Sequence, residues 1–403
     1  MKKLSKRLLS AFLAVVMVFT VMPFSALTAG ADEARDRYLF AYFTGNTTEQ
    51  QRIKFALSED GDTYYAINKN DPVIKQNLGT GCARDPYIFR GQDGKYYAIA
   101  TDMDASGGWW GNSNSFVLWR SNDLVTWTNE TIIDVAAITG VDVHRAWAPQ
   151  VIWDASEGKY MVYFGLAANG YSAGGTKMHY MYTADLLDQS AYSAPQPMMK
   201  NNATSSMDSI DGDITYYNGT YYMFYKDETQ GGICIVTSDT AHGLYDTDNI
   251  VKLDAGSDIG ALEGCQVWWK EAEGDNPAGY VLMADRYSAN GVFACYDIGD
   301  DLDAFYAAVS SNNDISGYYN ATMSSSISVL GPRHGSVLNI NETEYNALKN
   351  AYGIATNEDI RYNFNSQNYV QENAWDYVAI TDTSGYTYDV MTNSGQYSYS
   401  YTD

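Results

Sequence analysis

One short segment recurs along the sequence, and three of its copies begin with a carboxylate. In each copy a β-branched and aromatic run leads through a turn containing glycine into a second, more hydrophobic run. The copies begin at Asp85, Ala148, Asp211 and Glu263, at intervals of roughly 50 to 65 residues, and a fifth begins at His334. Three carboxylates and a histidine at equivalent places of a repeat predict one shared site.

Carboxyl groups in this arrangement suit the hydrolysis of a glycosidic bond. That reaction needs one carboxylic acid to protonate the leaving oxygen and one carboxylate to activate water or to attack carbon. Asp85 and Glu263 belong to units that are not adjacent, and a wide separation leaves room for a water molecule, which predicts inversion of configuration. An ionised Asp211 would raise the pKa of a neighbouring acid by like-charge repulsion. Asp208 and Asp213 compete for that role.

Short strands are the elements that must position these side chains. Each unit carries three strand-like runs, and a fourth follows a corner that holds an aspartate, as at Asp60 and Asp123. Four strands in each unit of this length predict a β-propeller. The run 334–340 has no blade after it, and the first strands of the chain have no inner strand before them. Pairing the two would complete a fifth blade without a free sheet edge. We therefore expect an all-β, five-bladed β-propeller closed by a C-terminal strand.

The propeller is expected between two other segments. Residues 1–31 combine a basic start, an apolar run and the small residues Ala29-Gly30-Ala31, which predicts a signal peptide and a secreted protein. Residues 32–353 then form the propeller domain, and its last element is a helix that starts at Asn341 and stops at Gly353. Residues 354–403 form a short β-rich stub, either the start of a laminin-G-like module or a tail.

The net charge of the chain limits the classes of partner, and its cysteines indicate whether disulfides are expected. A formal net charge of −24 argues against nucleic acid, because phosphate binding needs a basic face. Once the signal is removed, no apolar run is long enough for a membrane span, and we expect a monomer. Cys234, Cys265 and Cys295 fall within predicted strands, and we expect them to be buried thiols rather than a disulfide framework.

Five motifs, in order, resemble the inner-strand signatures of glycoside hydrolase family 43: Arg84-Asp85-Pro86, Trp147-Ala148-Pro149, Ile210-Asp211, Glu263-Gly264 and Arg333-His334-Gly335. That family contains inverting arabinofuranosidases, xylosidases and arabinanases, so the resemblance implies a plant cell-wall oligo- or polysaccharide as partner. It implies Asp85 as general base, Asp211 as pKa modulator and Glu263 as general acid. No cofactor is required, although the resemblance allows a structural calcium ion near His334. The sequence departs from the family pattern at Asp213 and Cys265.

Sugars stack on aromatic faces, and four aromatic residues are candidates for the walls of the substrate site. These are Phe43, Trp109, Trp110 and Trp147. Arg286 could bond sugar hydroxyls or form a surface ion pair, and His334 would face the axis. The alternative to an enzyme is a non-catalytic carbohydrate-binding β-propeller. A sialidase-like propeller fits less well, because the inner strands offer neither an arginine cluster nor a tyrosine nucleophile.

Overall fold

The computed structural model describes most of the chain after the predicted signal peptide. The described ranges are 34–108, 113–172, 175–200, 208–229, 231–253, 262–274, 276–289 and 291–355, with the backbone of three strands nearer the C-terminus. The predicted signal peptide at 1–31 lies outside them. Within these ranges every helix is too short or insufficiently apolar to cross a bilayer.

Among the described residues, nineteen strands precede residue 341. In chain order they are β1 (Arg37–Phe43), β2 (Lys54–Ser58), β3 (Tyr65–Ala66), β4 (Ala83–Arg90), β5 (Tyr96–Asp102), β6 (Ser115–Ser121), β7 (Trp127–Asp134), β8 (Val143–Asp154), β9 (Lys159–Ala168), β10 (Lys177–Thr183), β11 (Gln196–Pro197), β12 (Ser209–Tyr217), β13 (Thr220–Asp227), β14 (Ile233–Ser238), β15 (Val251–Lys252), β16 (Glu263–Lys270), β17 (Gly279–Arg286), β18 (Val292–Gly299) and β19 (Arg333–Ile340). These strands form antiparallel sheets, so neighbouring strands need only short turns between them.

The sheets are the blades of a five-bladed propeller. Four of them run β4 to β7, β8 to β11, β12 to β15 and β16 to β18, each from its inner strand outward, and the fifth has the order β19-β1-β2-β3. In that fifth sheet Leu39 pairs with Leu338 and Phe40 with Val337. The inner strands β4, β8, β12, β16 and β19 contact one another in turn, and β19 contacts β4. The predicted fold and its closure by a C-terminal strand are both confirmed.

The hydrophobic core lies between neighbouring blades. One cluster joins Ile99 and Phe116 of one blade to Val162 and Phe164 of the next, and the rings of Phe116 and Phe164 meet edge to face at 4.7 Å. Because both faces of most blades are buried in this way, the middle strands consist of nearly continuous β-branched and aromatic runs. The four cysteines are also buried and free, as predicted for three of them.

Aspartates close the corners between strands as the sequence predicted. Oδ1 of Asp60 accepts hydrogen bonds from the backbone N–H groups of Asp62 and Thr63, at 2.8 and 2.7 Å. Oδ1 of Asp123 accepts in the same way from Val125 and Thr126, at 3.0 and 2.7 Å. These aspartates fix the turns, which accounts for their recurrence along the chain.

Helices occupy a place where a strand was expected. The α-helices are α1 (Val135–Thr139), α2 (Leu302–Asn312), α3 (Ala321–Ser328) and α4 (Glu342–Tyr352), and short 3-10 helices span Asn68–Asn70, Gln189–Ala191, Tyr287–Ala289 and Ser316–Tyr318. Helix α4 was predicted, and a capping box between Asn341 and Glu344 starts it. Helices α2 and α3 were not predicted. They pack on β18, so the fourth blade has three strands among the described residues instead of the expected four.

Beyond the propeller, three short strands pair in an antiparallel sheet: β20 (Val378–Thr381), β21 (Thr387–Asn393) and β22 (Gln396–Tyr399). Much of the rest of 354–403 lies outside the described residues. The boundary of the propeller domain and the nature of this segment stay predictions.

Candidate active site

Each inner strand contains a β-bulge in its first half, and the bulges position the site. In β4 the pairing with β5 passes from Arg84 to Tyr87 while the partner strand advances by only two residues, so one extra residue is inserted. The same shift occurs in β8, β12, β16 and β19. The first unpaired residue has a positive φ in four of them: 52° at Asp85, 47° at Ala148, 54° at Asp211 and 56° at Gly264. Bulges and left-handed residues of this kind redirect side chains beside functional sites.

The bulges also correct the sequence alignment of the repeat. Gly264, not Glu263, occupies the place equivalent to Asp85 and Asp211, and Glu263 is the paired residue just before the bulge. A side chain at Gly264 would be obstructed, because its Cβ would lie 2.5 Å from Cγ of His334. The expectation that Glu263 begins its copy in the same register as the two aspartates was therefore wrong by one residue. Its longer side chain extends from the neighbouring position.

Asp85 is held by hydrogen bonds from the neighbouring strands. Its Oδ2 accepts from Oγ1 of Thr101, at 2.8 Å, and that hydroxyl oxygen accepts in turn from the backbone N–H of Ala148, also at 2.8 Å. Its Oδ1 lies 3.6 Å from Nδ1 of His334. The carboxylate is thus fixed in orientation, with one oxygen left for a further partner.

Asp211 lies on the other side of the same histidine. Its Oδ1 is 3.9 Å from Nδ1 of His334, and its Oδ2 accepts from the backbone N–H of Gly264 at 3.0 Å. Burial raises the pKa of Asp211 to about 7, and the charges of Glu263 and Asp85 act in the same direction, whereas His334 opposes them. Burial of Asp211 therefore opposes the ionised form that the sequence analysis expected.

Glu263 is held by two cations that sequence reasoning missed. Its Oε2 accepts from Nζ of Lys226 at 2.8 Å, and its Oε1 accepts from Nη2 of Arg333 at 3.0 Å. Arg333 also donates from Nε to Oδ2 of Asp285 at 2.6 Å. Asp285 is fully buried, and burial together with the charge of Glu263 raises its pKa to about 6, although Arg333 lowers it. An ion-pair network therefore surrounds Glu263.

A positional signal could have revealed three of the missed residues. Thr101, Lys226 and Asp285 each stand near the end of the second strand of a blade, opposite the residue that precedes the bulge. Their side chains belong to the same end of the ring as the bulges. Arg333 itself lies directly before His334 in the fifth motif, but the motif alone indicated no role for it.

The two competitors of Asp211 have other partners. Oδ2 of Asp213 accepts from the backbone N–H of Val267 at 2.9 Å, and burial raises the pKa of Asp213 to about 7. Asp208 lies 3.6 Å from Nζ of Lys177, itself buried. Of the three aspartates, Asp211 is the one whose carboxyl group lies within 4 Å of the His334 ring and in the electrostatic field of both Asp85 and Glu263.

The residues predicted to contact substrate differ in their exposure and in their neighbours. Phe43 is 1% exposed, and the guanidinium of Arg84 lies 4.5 Å above its ring, so its free face is small. Trp147 is partly buried and carries the guanidinium of Arg145 at 4.5 Å. Arg286 lies 6.0 Å from the ring of Tyr319, beside the helices that flank β18. Trp109 and Trp110 lie outside the described residues.

The residues around His334 do not fit a calcium ion. Calcium takes six to eight oxygen ligands, whereas the imidazole offers nitrogen, and the carboxylate oxygens within 4 Å of its Nδ1 are one each from Asp85 and Asp211. Across the described ranges no group of three or more histidine, cysteine, aspartate or glutamate residues could hold a metal ion. We assign no step to a metal.

Comparison with known proteins places this site in a family. Residues 33–346 match the profile of a family related to glycosyl hydrolase family 43, described as "Probable glycosyl hydrolase domain". The match spans more than half of the chain. The chain belongs to this family of probable glycosyl hydrolases related to family 43. The resemblance drawn from the five motifs is thus confirmed, and so is the prediction of a glycosidase at the level of the family.

Individual relatives are distant. An α-L-arabinofuranosidase from Bifidobacterium longum subsp. longum is 27% identical over 218 residues, covering 48% of this chain and 20% of that protein, so the match spans about a fifth of the relative's length. An endo-1,4-β-xylanase from Bacteroides thetaiotaomicron is 16% identical with a TM-score of 0.47, covering 66% of this chain and 88% of that chain. An α-L-arabinanase from Cellvibrio cellulosa is 13% identical with a TM-score of 0.45, covering 66% and 90%.

Proposed function

We propose that this family 43 protein is a secreted, inverting glycoside hydrolase that cleaves arabinose- or xylose-containing plant polysaccharides. The observation that carries the proposal is the convergence of Asp85 and Asp211 on His334, with the charge of Glu263 acting on Asp211, at one end of the propeller ring. These carboxyl groups come from three different blades, so only the closed ring brings them together. Structural ion pairs alone would not require two of these carboxylates on strained bulges and the third directly before one.

Each carboxyl group has a distinct part in the reaction. Asp85, oriented by Thr101, takes a proton from water as the water oxygen bonds to the anomeric carbon. Glu263 gives its proton to the glycosidic oxygen as the bond from that oxygen to the anomeric carbon breaks. Attack from the side opposite the leaving group inverts the configuration. General acid–base catalysis of this kind contributes about 10²- to 10⁴-fold to the rate for each group.

Asp211 acts on the proton that Glu263 must carry. Burial raises the pKa of Asp211, and the negative charge of Glu263 raises it further, so Asp211 keeps its proton more readily while Glu263 is ionised. The backbone N–H of Gly264 holds Asp211 in place while the proton is transferred. We assign Asp211 the modulator role on this basis: its own protonation is coupled to that of Glu263.

Two observations favour a neutral pentose polymer as substrate. The matched relative is named an α-L-arabinofuranosidase, and the strongly negative chain would repel polyanionic polymers. Arabinan and arabinoxylan are therefore the first polymers to test, with nitrophenyl arabinofuranoside and xyloside as small substrates. Secretion can be tested by expressing the full sequence in a bacterium and sequencing the N-terminus of protein from the medium, which should lack residues 1–31.

The direct test compares Asp85→Ala and Glu263→Ala with the parent on these substrates. We expect activity to fall by at least about 100-fold in each variant, with the denaturation midpoint recorded to show that each is folded. NMR of the first product released by the parent should show the inverted anomer. Hydrolysis by both folded variants at the parental rate would refute the proposal.

A non-catalytic carbohydrate-binding propeller is the second candidate. Its support is the pairing of Glu263 with Lys226 and Arg333, because two cations favour the ionised form of a group that must give up a proton. Under this alternative, oligosaccharides would bind to the parent without release of product from any substrate in the panel. Calorimetry of binding, run beside the activity assay, separates the two.

A further inference from the structure

The general acid proposed above faces a difficulty, because Glu263 contacts two cations. Nζ of Lys226 and Nη2 of Arg333 each bond one of its oxygens, at 2.8 and 3.0 Å. A carboxyl group that takes up a proton loses much of its attraction to both. Two buried cations left without a counter-charge would make that protonation costly.

Each cation, however, has a second carboxylate on its far side. Arg333 bonds Asp285 at 2.6 Å, and Lys226 lies 2.6 Å from Oε1 of Glu228. The side chains of Lys226 and Arg333 are only 6% and 9% exposed, whereas that of Glu228 is 32% exposed. The charges therefore alternate along the row from Glu228 through Lys226, Glu263 and Arg333 to Asp285.

We propose that Glu228 is a positioning residue for the reaction, which keeps Lys226 neutralised and thereby allows Glu263 to hold the proton it must donate. When Glu263 is protonated, the row resolves into two closed ion pairs, Lys226 with Glu228 and Arg333 with Asp285. Without Glu228, Glu263 would be the one carboxylate among the described residues in an ion pair with Lys226, and the ammonium would favour the ionised form of Glu263. This inference rests on the proposed function and adds a residue outside the five inner-strand motifs.

Other features agree with this role. Although burial opposes it, the ion pairs with Glu263 and Glu228 raise the pKa of Lys226, so the cation persists throughout the working pH range. The ammonium also lies 4.2 Å from the centre of the Tyr287 ring, which helps to keep it between the two carboxylates. Glu228 is two residues beyond Lys226, after the end of β13, where its substitution should not disturb strand pairing.

Several other charged groups face Glu263, and they are the same in the parent and in a variant that lacks the charge of Glu228. Asp285 is on the same blade as Glu263, and the groups on other blades are Asp85, Arg84, Asp211, His334 and Arg333. Removing Glu228 changes one charge at the solvent-facing end of the row and leaves all of them in place. The change in pH dependence can then be attributed to that one charge.

The test uses the full chain with Glu228→Gln, which keeps the shape of the side chain and removes its charge. Activity of a general acid falls above the pH at which it loses its proton. We expect the alkaline limb of kcat/KM on nitrophenyl arabinofuranoside to move to lower pH by about 0.5 to 1 unit, the effect of one charge at short range in a partly exposed row. Lys226→Met should move the same limb in the opposite direction, because it removes the cation itself.

A matched control exists at the far end of β16. There Lys270 is likewise buried, and its Nζ lies 3.5 Å from Oδ1 of Asp297, which is 48% exposed. This pair is seven residues along β16 from Glu263, or roughly 23 Å for an extended strand. Asp297→Asn removes the same kind of charge from the same kind of pair, and we expect the pH profile to stay at the parental position.

A second readout separates this inference from the proposed function. ¹³C NMR of protein labelled at glutamate carboxyl groups, with the Glu263 signal assigned from its loss in Glu263→Gln, follows the titration of Glu263 without any substrate. We expect its midpoint to fall in Glu228→Gln by the same 0.5 to 1 unit, about 3- to 10-fold in proton affinity. An unchanged midpoint overturns the role of Glu228 even if the enzyme is active. If the midpoint shifts in Glu228→Gln but the parent hydrolyses nothing, the effect of Glu228 on the proton of Glu263 is supported and the hydrolase is rejected.

Discussion

Replacement of Gly264 by alanine tests the geometry on which the site depends. Gly264 has a φ of 56°, and a Cβ there would lie 2.5, 2.7 and 2.9 Å from Cγ, Cβ and Cδ2 of His334. The left-handed backbone costs an alanine about 1 kcal/mol, and forcing a methyl group into a packed interior costs about 1–3 kcal/mol more. We therefore expect Gly264→Ala to lower the free energy of unfolding by about 2–4 kcal/mol.

The matched control is Gly94→Ala in the turn between β4 and β5. Gly94 has a φ of 75°, and a Cβ there would have no neighbour within 4 Å. It should therefore show the backbone cost alone, about 1 kcal/mol. Urea unfolding of the parent and both variants measures the difference, which isolates the contact with the imidazole. Losses that agree within about 0.5 kcal/mol would refute the reasoning that glycine is required by the closeness of His334.

The same variant has a consequence for activity. The imidazole lies 3.6 Å from Asp85 and 3.9 Å from Asp211, and the backbone N–H of Gly264 bonds Asp211. A methyl group that displaces His334 would disturb both carboxyl groups, so kcat should fall even at temperatures where the variant is fully folded. Gly94→Ala should keep the parental kcat on the same substrate.

Three further changes have defined outcomes. Asp85→Asn should lower kcat by about 10²- to 10⁴-fold, with little change in KM, because an amide cannot accept the proton of the attacking water; a steady-state assay decides this. Thr101→Val removes the hydroxyl between Asp85 and the N–H of Ala148 and should lower kcat/KM by about 10-fold, whereas Thr101→Ser should keep most of it. Asp213 has a pKa raised by burial to about 7, so its contribution to stability is present below about pH 4 and is lost as the pH rises through 7. Asp213→Asn should therefore be more stable than the parent at pH 8, by on the order of 1–4 kcal/mol, with the advantage gone by pH 4, as urea unfolding at several pH values would show. Equal pH slopes for the Asp213→Asn variant and the parent would contradict this assignment.

The ring could be inferred from the sequence because its signals are local. Each inner strand carries its own motif, each corner has an aspartate such as Asp60, and the unpaired strand at 334–340 had one place left to pair. The helix after Asn341 was also marked by its capping residues. Helix α2 carried comparable signals, with Asp301 as its N-cap and buried residues at Leu302, Phe305 and Val309, but the repeat pattern favoured a strand there.

The charge network of Glu263 could not be inferred in the same way, because it depends on pairing between strands. Lys226 is opposite Ile210 and Asp285 is opposite Glu263, so each enters the site only through the register of its blade. The one-residue shift places glycine at 264, where any side chain would collide with His334 of the next blade. Sequence patterns specify which face of a strand is buried, but the insertion of a bulge changes which side chain reaches the axis.

That shift explains why the acid of this site differs from the two aspartates. Asp85 and Asp211 are the first bulge residues of their strands. The equivalent residue of the fourth blade is Gly264, because a side chain there would collide with the imidazole of His334. The carboxyl group has to come from the preceding residue, which faces the end of β13 and the start of β19. Glutamate reaches the site from there, and the same position brings it into contact with Lys226 and Arg333. The position of His334 therefore determines both the glycine at 264 and the contacts of Glu263 with Lys226 and Arg333. A protein that moved the imidazole would also have to change the groups around this glutamate.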